Sequence, residues 1–195
     1  MMPHFIVIEA LDGVGKTTLT TTLAQRLGAV ATNTPGDTLR EVSGRVLQGL
    51  GPNQEARCLF YAASVLAAGG RALKLVEGGV SVVMDRYWLS TIAYARARGV
   101  TESFREIEAL VPTPDLTVLL TLDESARRAR LGGRGLTSAD RETLDPTFRE
   151  RVLREMCSDE RAMGLRPTLV LDVGLRSPAA LVDEIVAHLH GVAAK

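Results

Sequence analysis

The chain has 195 residues with no formal net charge, 46% of them hydrophobic and 24% charged, which suits one α/β domain able to bury a full core. Balanced charge gives no broad basic field, so we expect neither a nucleic-acid nor a membrane partner. Cys58 and Cys157 are far apart and form no CxxC pair, and because no signal peptide or apolar run of roughly 20 residues stands out, we expect a reduced cytoplasmic setting.

Short apolar runs rich in β-branched residues alternate with helix-like segments along the chain. We predict strands at 5–9, 29–32, 80–84, 115–122 and 168–172. We predict helices at 16–27, 38–50, 53–77, 88–98, 102–110, 124–131, 148–163 and 178–190, with Asn53 and Ser177 as N-caps. The polar segment 132–143 is predicted as a loop. Strands that alternate with helices predict a parallel sheet covered on both faces, within a single domain spanning residues 1–195.

A glycine-bearing turn joins the first strand to the first helix. Residues 10–17 match the phosphate-binding pattern GxxxxGK[ST], except that Ala10 replaces the first glycine. In such a loop, backbone N–H groups and the helix N-terminus face phosphate oxygens. Lys16 would reach the β- and γ-phosphates, and the Thr17 hydroxyl would bind Mg²⁺, so ATP and Mg²⁺ are the predicted cofactors. We expect nucleotide contacts from Asp12, Gly13, Val14, Gly15, Lys16, Thr17 and Thr18.

The loop alone indicates a nucleoside triphosphate without naming the reaction. No Asn-Lys-x-Asp motif follows it, which disfavours a signalling GTPase. Alanine at position 10 requires a negative φ there, since a positive φ would be strained.

Later motifs narrow the class. They are Asp12 within the loop, Leu59-Phe60-Tyr61-Ala62, the block Asp85-Arg86-Tyr87 with Ser90 and Ala93-Tyr94, Pro114-Asp115-Leu116-Thr117, and the arginine-bearing segment from Arg130 to Val152. Together they resemble the thymidylate kinase family of P-loop nucleoside monophosphate kinases, over residues 5 to about 160. The resemblance implies a three-layer P-loop kinase fold with a five-stranded parallel sheet, and a lid at about 131–144.

The resemblance also implies a role for each matching residue. Phe60 would stack on the acceptor base, Tyr94 would pack against the sugar, and Asp12 would bind the 3′-hydroxyl. Asp85 would join Thr17 at the metal. The implied catalytic residues are Lys16, Asp85, Arg86, Arg134 and Arg141; the implied substrate-binding residues are Asp12, Phe60, Arg86, Ser90 and Tyr94; and Arg130 would join the ATP contacts. We expect Arg127 and Arg128 on a solvated helix face.

Two positions depart from the family pattern. Asn33 and Ser64 stand where the family usually carries arginines that hold the acceptor phosphate, while Arg86 remains and Arg45 matches a family arginine further on. Losing one charge-assisted hydrogen bond costs roughly 1.5–3 kcal/mol. The acceptor side is therefore altered while the ATP side is intact.

Three functions follow from this contrast. The first is transfer of the ATP γ-phosphoryl group to a nucleoside monophosphate, with deoxythymidylate (dTMP) favoured. The second is a related kinase that acts on a neutral nucleoside or small-metabolite hydroxyl, with Asp85 as general base. The third is a regulatory nucleotide-binding protein without transfer, against which the arginine-bearing lid argues. The apolar surface of helix 53–77 and the resemblance together lead us to expect a homodimer.

Overall fold

A five-stranded parallel sheet forms the centre of the protein, in the order β2-β3-β1-β4-β5. The computed structural model describes residues 2–133, 135–158, 165 and 168–192. The strands are β1 (Phe5–Glu9), β2 (Val30–Asn33), β3 (Val82–Asp85), β4 (Leu116–Thr121) and β5 (Leu169–Asp172). All five predicted strands are confirmed, with small shifts at their ends.

Helices connect the strands and cover the sheet. Within the described residues they are α1 (Lys16–Leu27), α2 (Asp37–Gly49), α3 (Gln54–Glu77), α4 (Trp88–Ala97), α5 (Arg105–Glu108), α6 (Glu124–Gly132), α7 (Ser138–Leu144), α8 (Pro146–Met156) and α9 (Pro178–Val192). The predicted helix at 102–110 is therefore shorter than expected. The helix predicted at 148–163 begins two residues earlier and ends at Met156, with Cys157 as its C-cap, while residues 159–163 lie outside the described part of the chain.

The segment predicted as a loop contains helix α7, so that prediction is wrong. The Thr137 side chain accepts a hydrogen bond from the Asp140 N–H (3.1 Å), and the Asp140 carboxylate accepts one from the Thr137 N–H (2.8 Å). This reciprocal pair is a capping box, which satisfies N–H groups that a helix start leaves free.

Two hydrophobic clusters lie on opposite faces of the sheet. Alternate side chains of a strand point to opposite faces, so in β1 Ile6 and Ile8 enter one cluster while Phe5 and Val7 enter the other. Helices α1, α8 and α9 contribute to the first cluster, and α3 and α4 supply much of the second. This arrangement confirms the predicted three-layer α/β fold.

Helix α3 crosses the second face. Asn53 caps it by accepting a hydrogen bond from the Ala56 N–H at 2.7 Å. A Cβ at Gly69 would lie 2.0 Å from the Tyr87 hydroxyl oxygen, so a close packing contact requires this glycine. Among the described residues, α3 alone is long and apolar enough, by length and composition, to cross a membrane. The expectation that no stretch approaches that length is therefore wrong.

The carboxyl ends of three strands meet at one edge of the sheet. Asp85 of β3 pairs with Ile8 of β1 on one side and with Asn33 of β2 on the other. The loops that follow these strands carry the phosphate-binding motif, the Asp-Arg-Tyr block and Thr34-Pro35. In open parallel sheets ligands bind at this edge, so the fold brings the sequence motifs to one place.

Candidate active site

The phosphate-binding loop wraps around the start of α1. Gly13 and Gly15 have φ of 85° and 117°, which side chains with a Cβ rarely adopt. A Cβ at Gly13 would also lie 2.8 Å from Leu131. Ala10 is fully buried and has no positive φ, so alanine fits at the position where the motif usually has glycine.

Lys16 lies almost fully buried beneath the loop. Its Nζ donates to the Leu11 carbonyl oxygen at 2.9 Å and to Asp12 Oδ1 at 3.3 Å. Burial and then the nearby Arg86 charge lower the pKa of Lys16 to about 8, against the opposing influence of Asp12 and Asp85. The ammonium group is thus less firmly protonated than a surface lysine.

An ion pair links the loop to the Asp-Arg-Tyr block. Arg86 Nη2 lies 2.5 Å from Asp12 Oδ1. Burial would raise the pKa of Asp12, but the charges of Arg86 and Lys16 outweigh it and hold that pKa well below its usual range. Burial likewise opposes the Arg86 charge, yet Asp12 raises the pKa of Arg86. Both groups are therefore charged at neutral pH.

Arg86 is held in an unusual backbone conformation. Among the described non-glycine residues it alone has a left-handed φ, of 67°. Its N–H donates to the Ile8 carbonyl oxygen at 3.0 Å, and the Thr34 hydroxyl donates to its carbonyl oxygen at 3.0 Å. Such conformations cost of the order of 1–3 kcal/mol and persist where surrounding contacts fix them, often at functional sites.

Glu9 supports Arg86 from beneath, and the sequence analysis missed it. Its Oε1 accepts hydrogen bonds from the N–H groups of Tyr87 (2.9 Å) and Ser90 (3.1 Å), and its Oε2 accepts from the Ser90 hydroxyl. Arg86 Nη1 in turn donates to Ser90 Oγ at 3.1 Å. Burial raises the pKa of Glu9, although the Ser90 hydrogen bonds oppose the shift. A carboxylate in an otherwise apolar buried strand was the signal that could have revealed it.

Thr17 and Asp85 form a pair suited to a cation. The Thr17 hydroxyl donates to Asp85 Oδ2 at 2.7 Å. Asp85 Oδ1 is buried and has no hydrogen-bond partner among the described residues. Those residues contain no cluster of three or more His, Cys, Asp or Glu side chains that could hold a metal ion. A metal bound here would complete its shell with phosphate oxygens and water, as Mg²⁺ commonly does.

A cavity of about 270 Å³ opens beside the loop, between α2, α3 and α4. We call it the acceptor cavity. The charged residues that line it are Asp12, Arg40, Arg57, Arg86 and Arg98, and the remaining lining residues are Thr34, Pro35, Gln54, Cys58, Tyr61, Ser90, Thr91, Tyr94 and Ala95. Four guanidinium groups facing one carboxylate favour an anionic ligand.

The structure places Tyr94 and Ser90, but not Phe60, at the acceptor cavity. The Tyr94 hydroxyl is buried without a hydrogen-bond partner among the described residues, and the Arg86 guanidinium lies 5.6 Å from its ring centroid. Phe60 lies outside the lining; its ring packs 5.3 Å from that of Tyr61, which does line the cavity. Tyr61, one residue after Phe60 on α3, therefore forms the aromatic wall of the acceptor cavity.

Ser64, like Phe60, lies outside the lining of the acceptor cavity. Ser64 is buried, its hydroxyl donates to the Tyr61 carbonyl oxygen at 2.6 Å, and it does not line the acceptor cavity. Counted from Tyr61, the corresponding position is Val65, which belongs to the hydrophobic core. No cationic side chain therefore enters the cavity from this turn of α3, while Arg57 enters from the preceding turn.

Asn33 also makes contacts with α2 that the sequence did not predict. Its Oδ1 accepts a hydrogen bond from Arg40 Nη2 at 2.7 Å, and its Nδ2 donates to Asp37 Oδ1 at 3.4 Å. Asn33 thus holds an arginine of α2 at the cavity. Arg45, also on α2, is exposed and lines neither the acceptor cavity nor the phosphate-loop cavity described next.

A second cavity of about 360 Å³ lies over the phosphate-binding loop. We call it the phosphate cavity. It is lined by Asp12, Gly13, Gly15, Lys16, Thr17, Thr18, Thr34, Arg40, Asp85, Arg86 and Arg130. Asp12, Thr34, Arg40 and Arg86 also line the acceptor cavity, so the two spaces meet at these four residues.

A third cavity, of about 300 Å³, continues from the loop along α1 and α9. It is lined by Val14, Gly15, Thr18, Leu19, Leu120, Arg130, Val173, Arg176, Pro178 and Leu181. Its apolar walls suit a flat ring. The lining residues that follow β5 and those of α9 were missed by the sequence analysis because only the fold brings them beside the loop.

Arg127 and Arg128, on the helix after β4, differ in solvent exposure. Arg127 is only 1% exposed, so its predicted solvation is wrong; it donates to the Asp12 carbonyl oxygen (3.0 Å) and to the Thr143 carbonyl oxygen (2.8 Å). Arg128 is 46% exposed, which confirms the prediction for that residue. Arg127 therefore joins the phosphate-binding loop to the end of α7.

The predicted lid residues are only partly brought to the site. Arg130 Nη1 donates to the Val14 carbonyl oxygen at 2.8 Å and lines the phosphate cavity. Arg141 is exposed on α7 and lines none of the three cavities. Arg134 lies outside the described residues.

Comparisons with known proteins agree with this geometry. A sequence model of the thymidylate kinase family matches residues 8–167. The chain is 37% identical over 136 residues to a probable thymidylate kinase of Pyrobaculum aerophilum, covering 67% of this chain and 71% of the relative. It is 33% identical to the thymidylate kinase of Carboxydothermus hydrogenoformans, covering 98% and 99% of the two chains.

A solved structure gives the same answer for the fold. The thymidylate kinase of Candida albicans superposes with a TM-score of 0.76 at 22% identity, covering 97% of this chain and 92% of that one. The phosphate-binding loop, the Asp-Arg-Tyr block and the adjoining acceptor cavity all lie within the matched region. The chain belongs to the thymidylate kinase family.

Proposed function

We propose that this enzyme transfers the γ-phosphoryl group of ATP to dTMP, giving ADP and deoxythymidine diphosphate. The observation that carries the proposal is the pair of adjoining cavities, one over a phosphate-binding loop and one lined by four arginines. An oxygen of the acceptor phosphate would attack the γ-phosphorus as the bond to the bridging oxygen of ADP breaks. The names of the relatives support dTMP as the acceptor.

On the donor side, each cavity suits one part of ATP. The third cavity would take the adenine ring between its apolar walls, and the N–H groups of Gly13 to Thr18 would bind the phosphates. Lys16 would exchange its contacts with Leu11 and Asp12 for the β- and γ-phosphates. Arg130, already bonded to the Val14 carbonyl oxygen, would lie beside the same phosphates.

Thr17 and Asp85 would hold Mg²⁺. The buried Asp85 Oδ1 has an unused lone pair, and the Thr17 hydroxyl lies beside it. A bound Mg²⁺ supplies positive charge that neutralises the phosphate oxygens. Comparing the dissociation constant of ATP with and without Mg²⁺ for wild type and Asp85→Asn would test this; an unchanged Mg²⁺ dependence in the variant would remove Asp85 from the metal site.

On the acceptor side, Tyr61 would stack on the base, in the role the sequence had given to Phe60. Tyr94 would pack against the sugar, and Asp12 would accept from the 3′-hydroxyl. Arg86 would bind the phosphate at the junction of the two cavities. Ser90 would act indirectly, since its hydroxyl is used by Glu9 and Arg86.

Transfer then depends on position and charge. A phosphoryl transition state spreads negative charge over its equatorial oxygens, and Lys16, Arg86 and Arg130 surround the place where this charge would develop. Preorganised cations stabilise it without reorganisation cost. We propose that the 131–144 segment acts as a lid within the single domain and that Arg134 and Arg141 approach the phosphates when it closes. Equal proteolysis of that segment with and without an ATP analogue would contradict closure.

The two other functions fit the geometry less well. A neutral acceptor has no negative charge to compensate Arg40 and Arg57, the guanidinium groups of its cavity that have no carboxylate partner among the described residues. A regulatory protein without transfer would have no use for an acceptor cavity that adjoins the phosphate-binding loop. Asn33 and Ser64, in place of two arginines, are the observation that favours a neutral acceptor, but Arg40 and Arg57 bring cationic groups to the same cavity.

We further propose a cytoplasmic homodimer that binds neither nucleic acid nor membrane. Helix α3 carries exposed Leu59 and Leu73, at 47% and 36% of their full exposure, which a second copy could cover. Sedimentation showing a 21.0 kDa species at micromolar concentration would contradict the dimer.

Label transfer tests the function directly. The purified chain is incubated with Mg²⁺, [γ-³²P]ATP and dTMP, and the products are separated by chromatography. We expect label in deoxythymidine diphosphate for the wild type and none for Lys16→Ala. Label that remains in ATP, or appears in thymidylate when thymidine replaces dTMP, would contradict the proposal and favour one of the alternatives.

A further inference from the structure

Arg40 lies where the donor and acceptor spaces meet. It is one of the four residues that line both the acceptor cavity and the phosphate cavity. Of the cations at this junction, Arg86 is already paired with Asp12 at 2.5 Å. A group transferred between the two cavities must pass this junction, where Arg40 lies.

Arg40 has no carboxylate partner among the described residues. Its Nη2 donates to the neutral amide oxygen of Asn33 at 2.7 Å, and among the described residues it forms no ion pair. Arg98, by contrast, is paired with Glu142 at 2.5 Å and lies 5.4 Å from the centroid of the Tyr94 ring. Arg40 is therefore free to bind an anion without first leaving a carboxylate.

Arg57 is the other cation of the acceptor cavity that has no carboxylate partner among the described residues. Its Nη2 donates to the Leu47 carbonyl oxygen at 3.4 Å, and its buried Nε has no hydrogen-bond partner among the described residues. Arg57 lines the acceptor cavity but not the phosphate cavity. Its position suits the part of the acceptor remote from the transferred group, which leaves Arg40 for the phosphate.

We propose that Arg40, positioned by Asn33, holds the phosphate of the acceptor together with Arg86 and determines the specificity for a nucleoside monophosphate. The inference rests on the proposed function and deepens it. It also assigns a role to Asn33. An asparagine at the end of β2 has no charge with which to bind phosphate, but its amide positions the Arg40 guanidinium at the junction. The arginine that the sequence lacks at position 33 is supplied by α2.

A double-mutant-type cycle tests this role: the guanidinium is removed by mutating Arg40, and the phosphate is removed by replacing dTMP with thymidine. Calorimetry measures the dissociation constants of dTMP and thymidine for the wild type and for Arg40→Gln. We expect Arg40→Gln to weaken dTMP binding roughly 10- to 100-fold, the equivalent of one charge-assisted hydrogen bond, and to leave thymidine binding unchanged. Arg40→Lys should recover part of the loss because it keeps the charge.

Two further variants distinguish a specific role of Arg40 in phosphate binding from a general effect of mutating α2. Arg45→Gln, an exposed arginine on the same helix and outside both cavities, should bind dTMP like the wild type. Asn33→Ala should raise the KM for dTMP less than Arg40→Gln does, with the KM for ATP unchanged. A loss in Arg40→Gln that is equal for dTMP and thymidine, or no loss at all, would overturn the role of Arg40.

The outcome distinguishes the two proposals. Wild-type protein that binds dTMP more tightly than thymidine but transfers no phosphoryl group would refute the proposed function while leaving Arg40 as the phosphate-binding residue. Wild-type protein that transfers to dTMP with Arg40→Gln unchanged would do the reverse. Equal wild-type affinities for dTMP and thymidine would overturn both.

Discussion

The contacts between Glu9, Ser90 and Arg86 predict a measurable coupling between two residues that do not bind substrate directly. Glu9 accepts three hydrogen bonds, two from backbone N–H groups and one from the Ser90 hydroxyl. In Glu9→Gln the remaining carbonyl oxygen can still accept from both N–H groups. The new amide N–H₂ faces Ser90 Oγ and cannot accept its proton, so the serine hydroxyl loses the acceptor that fixes the oxygen to which Arg86 Nη1 donates.

The size of the effect follows from one lost hydrogen bond to a charged group. Glu9→Gln should lower the free energy of unfolding by about 1.5–3 kcal/mol, and Ser90→Ala, which removes the same bond from the other side, by roughly 1–3 kcal/mol. If the two residues act through one bond, the double variant should lose little more than the larger single loss. The expected coupling energy is of the order of 1–2 kcal/mol.

Two assays measure it. Urea unfolding gives the free energies for the four proteins of the cycle, and steady-state kinetics gives kcat and both KM values. We expect kcat/KM for dTMP to fall in each variant, because Arg86 is less well oriented, while the KM for ATP stays near the wild-type value. Losses that add to within about 0.5 kcal/mol, or equal changes in both KM values, would refute the positioning role of Glu9.

Three other variants test separate contacts. Burial lowers the pKa of Lys16 to about 8, and kcat/KM for ATP reports groups of the free enzyme, so we expect kcat/KM for ATP to fall as the pH rises past about 8. Lys16→Arg should move this decline to higher pH, whereas a flat wild-type profile up to pH 10 would contradict the low pKa. Tyr61→Ala should raise the KM for dTMP roughly 5- to 100-fold, as loss of base stacking does, whereas Phe60→Ala should not; the reverse result would restore the original reading of Phe60. Arg127→Met should lower the unfolding free energy by about 3 kcal/mol in urea titrations, because it leaves buried carbonyl oxygens without donors. The neighbouring variant Arg128→Met should lower it by less than about 1 kcal/mol; equal losses would show that the contacts of Arg127 with the phosphate-binding loop and α7 do not stabilise the fold.

The donor side could be predicted because its signal is local. The strand, loop and helix that bind phosphate are consecutive in sequence, and the glycines and Lys16 stand where that geometry requires them. The five strands were likewise recognisable as short apolar runs between helices. Helix α7 was predictable too, since Thr137 and Asp140 have the spacing of a capping box, but the glycine-rich residues before it suggested a loop.

The acceptor side depends on helix rotation and on contacts between distant segments. Successive residues of a helix differ by about 100° in direction, so the sequence motif alone does not show that Tyr61, and not Phe60, lines the cavity. The approach of Arg40 to Asn33 depends on how α2 leaves the sheet, which no local pattern records. Arg127 looked exposed because it precedes another arginine, yet α6 turns it towards the phosphate-binding loop.

The central claim is that the arginine-lined cavity takes a phosphorylated acceptor. The most direct test is the ratio of kcat/KM for dTMP to that for thymidine, measured on the wild-type chain with saturating Mg²⁺ and ATP. Our account predicts a ratio of at least about 100, the equivalent of one or two charge-assisted hydrogen bonds to the acceptor phosphate. A ratio near or below one would mean that the four guanidinium groups do not select a phosphate, and the assignment of the acceptor would be wrong.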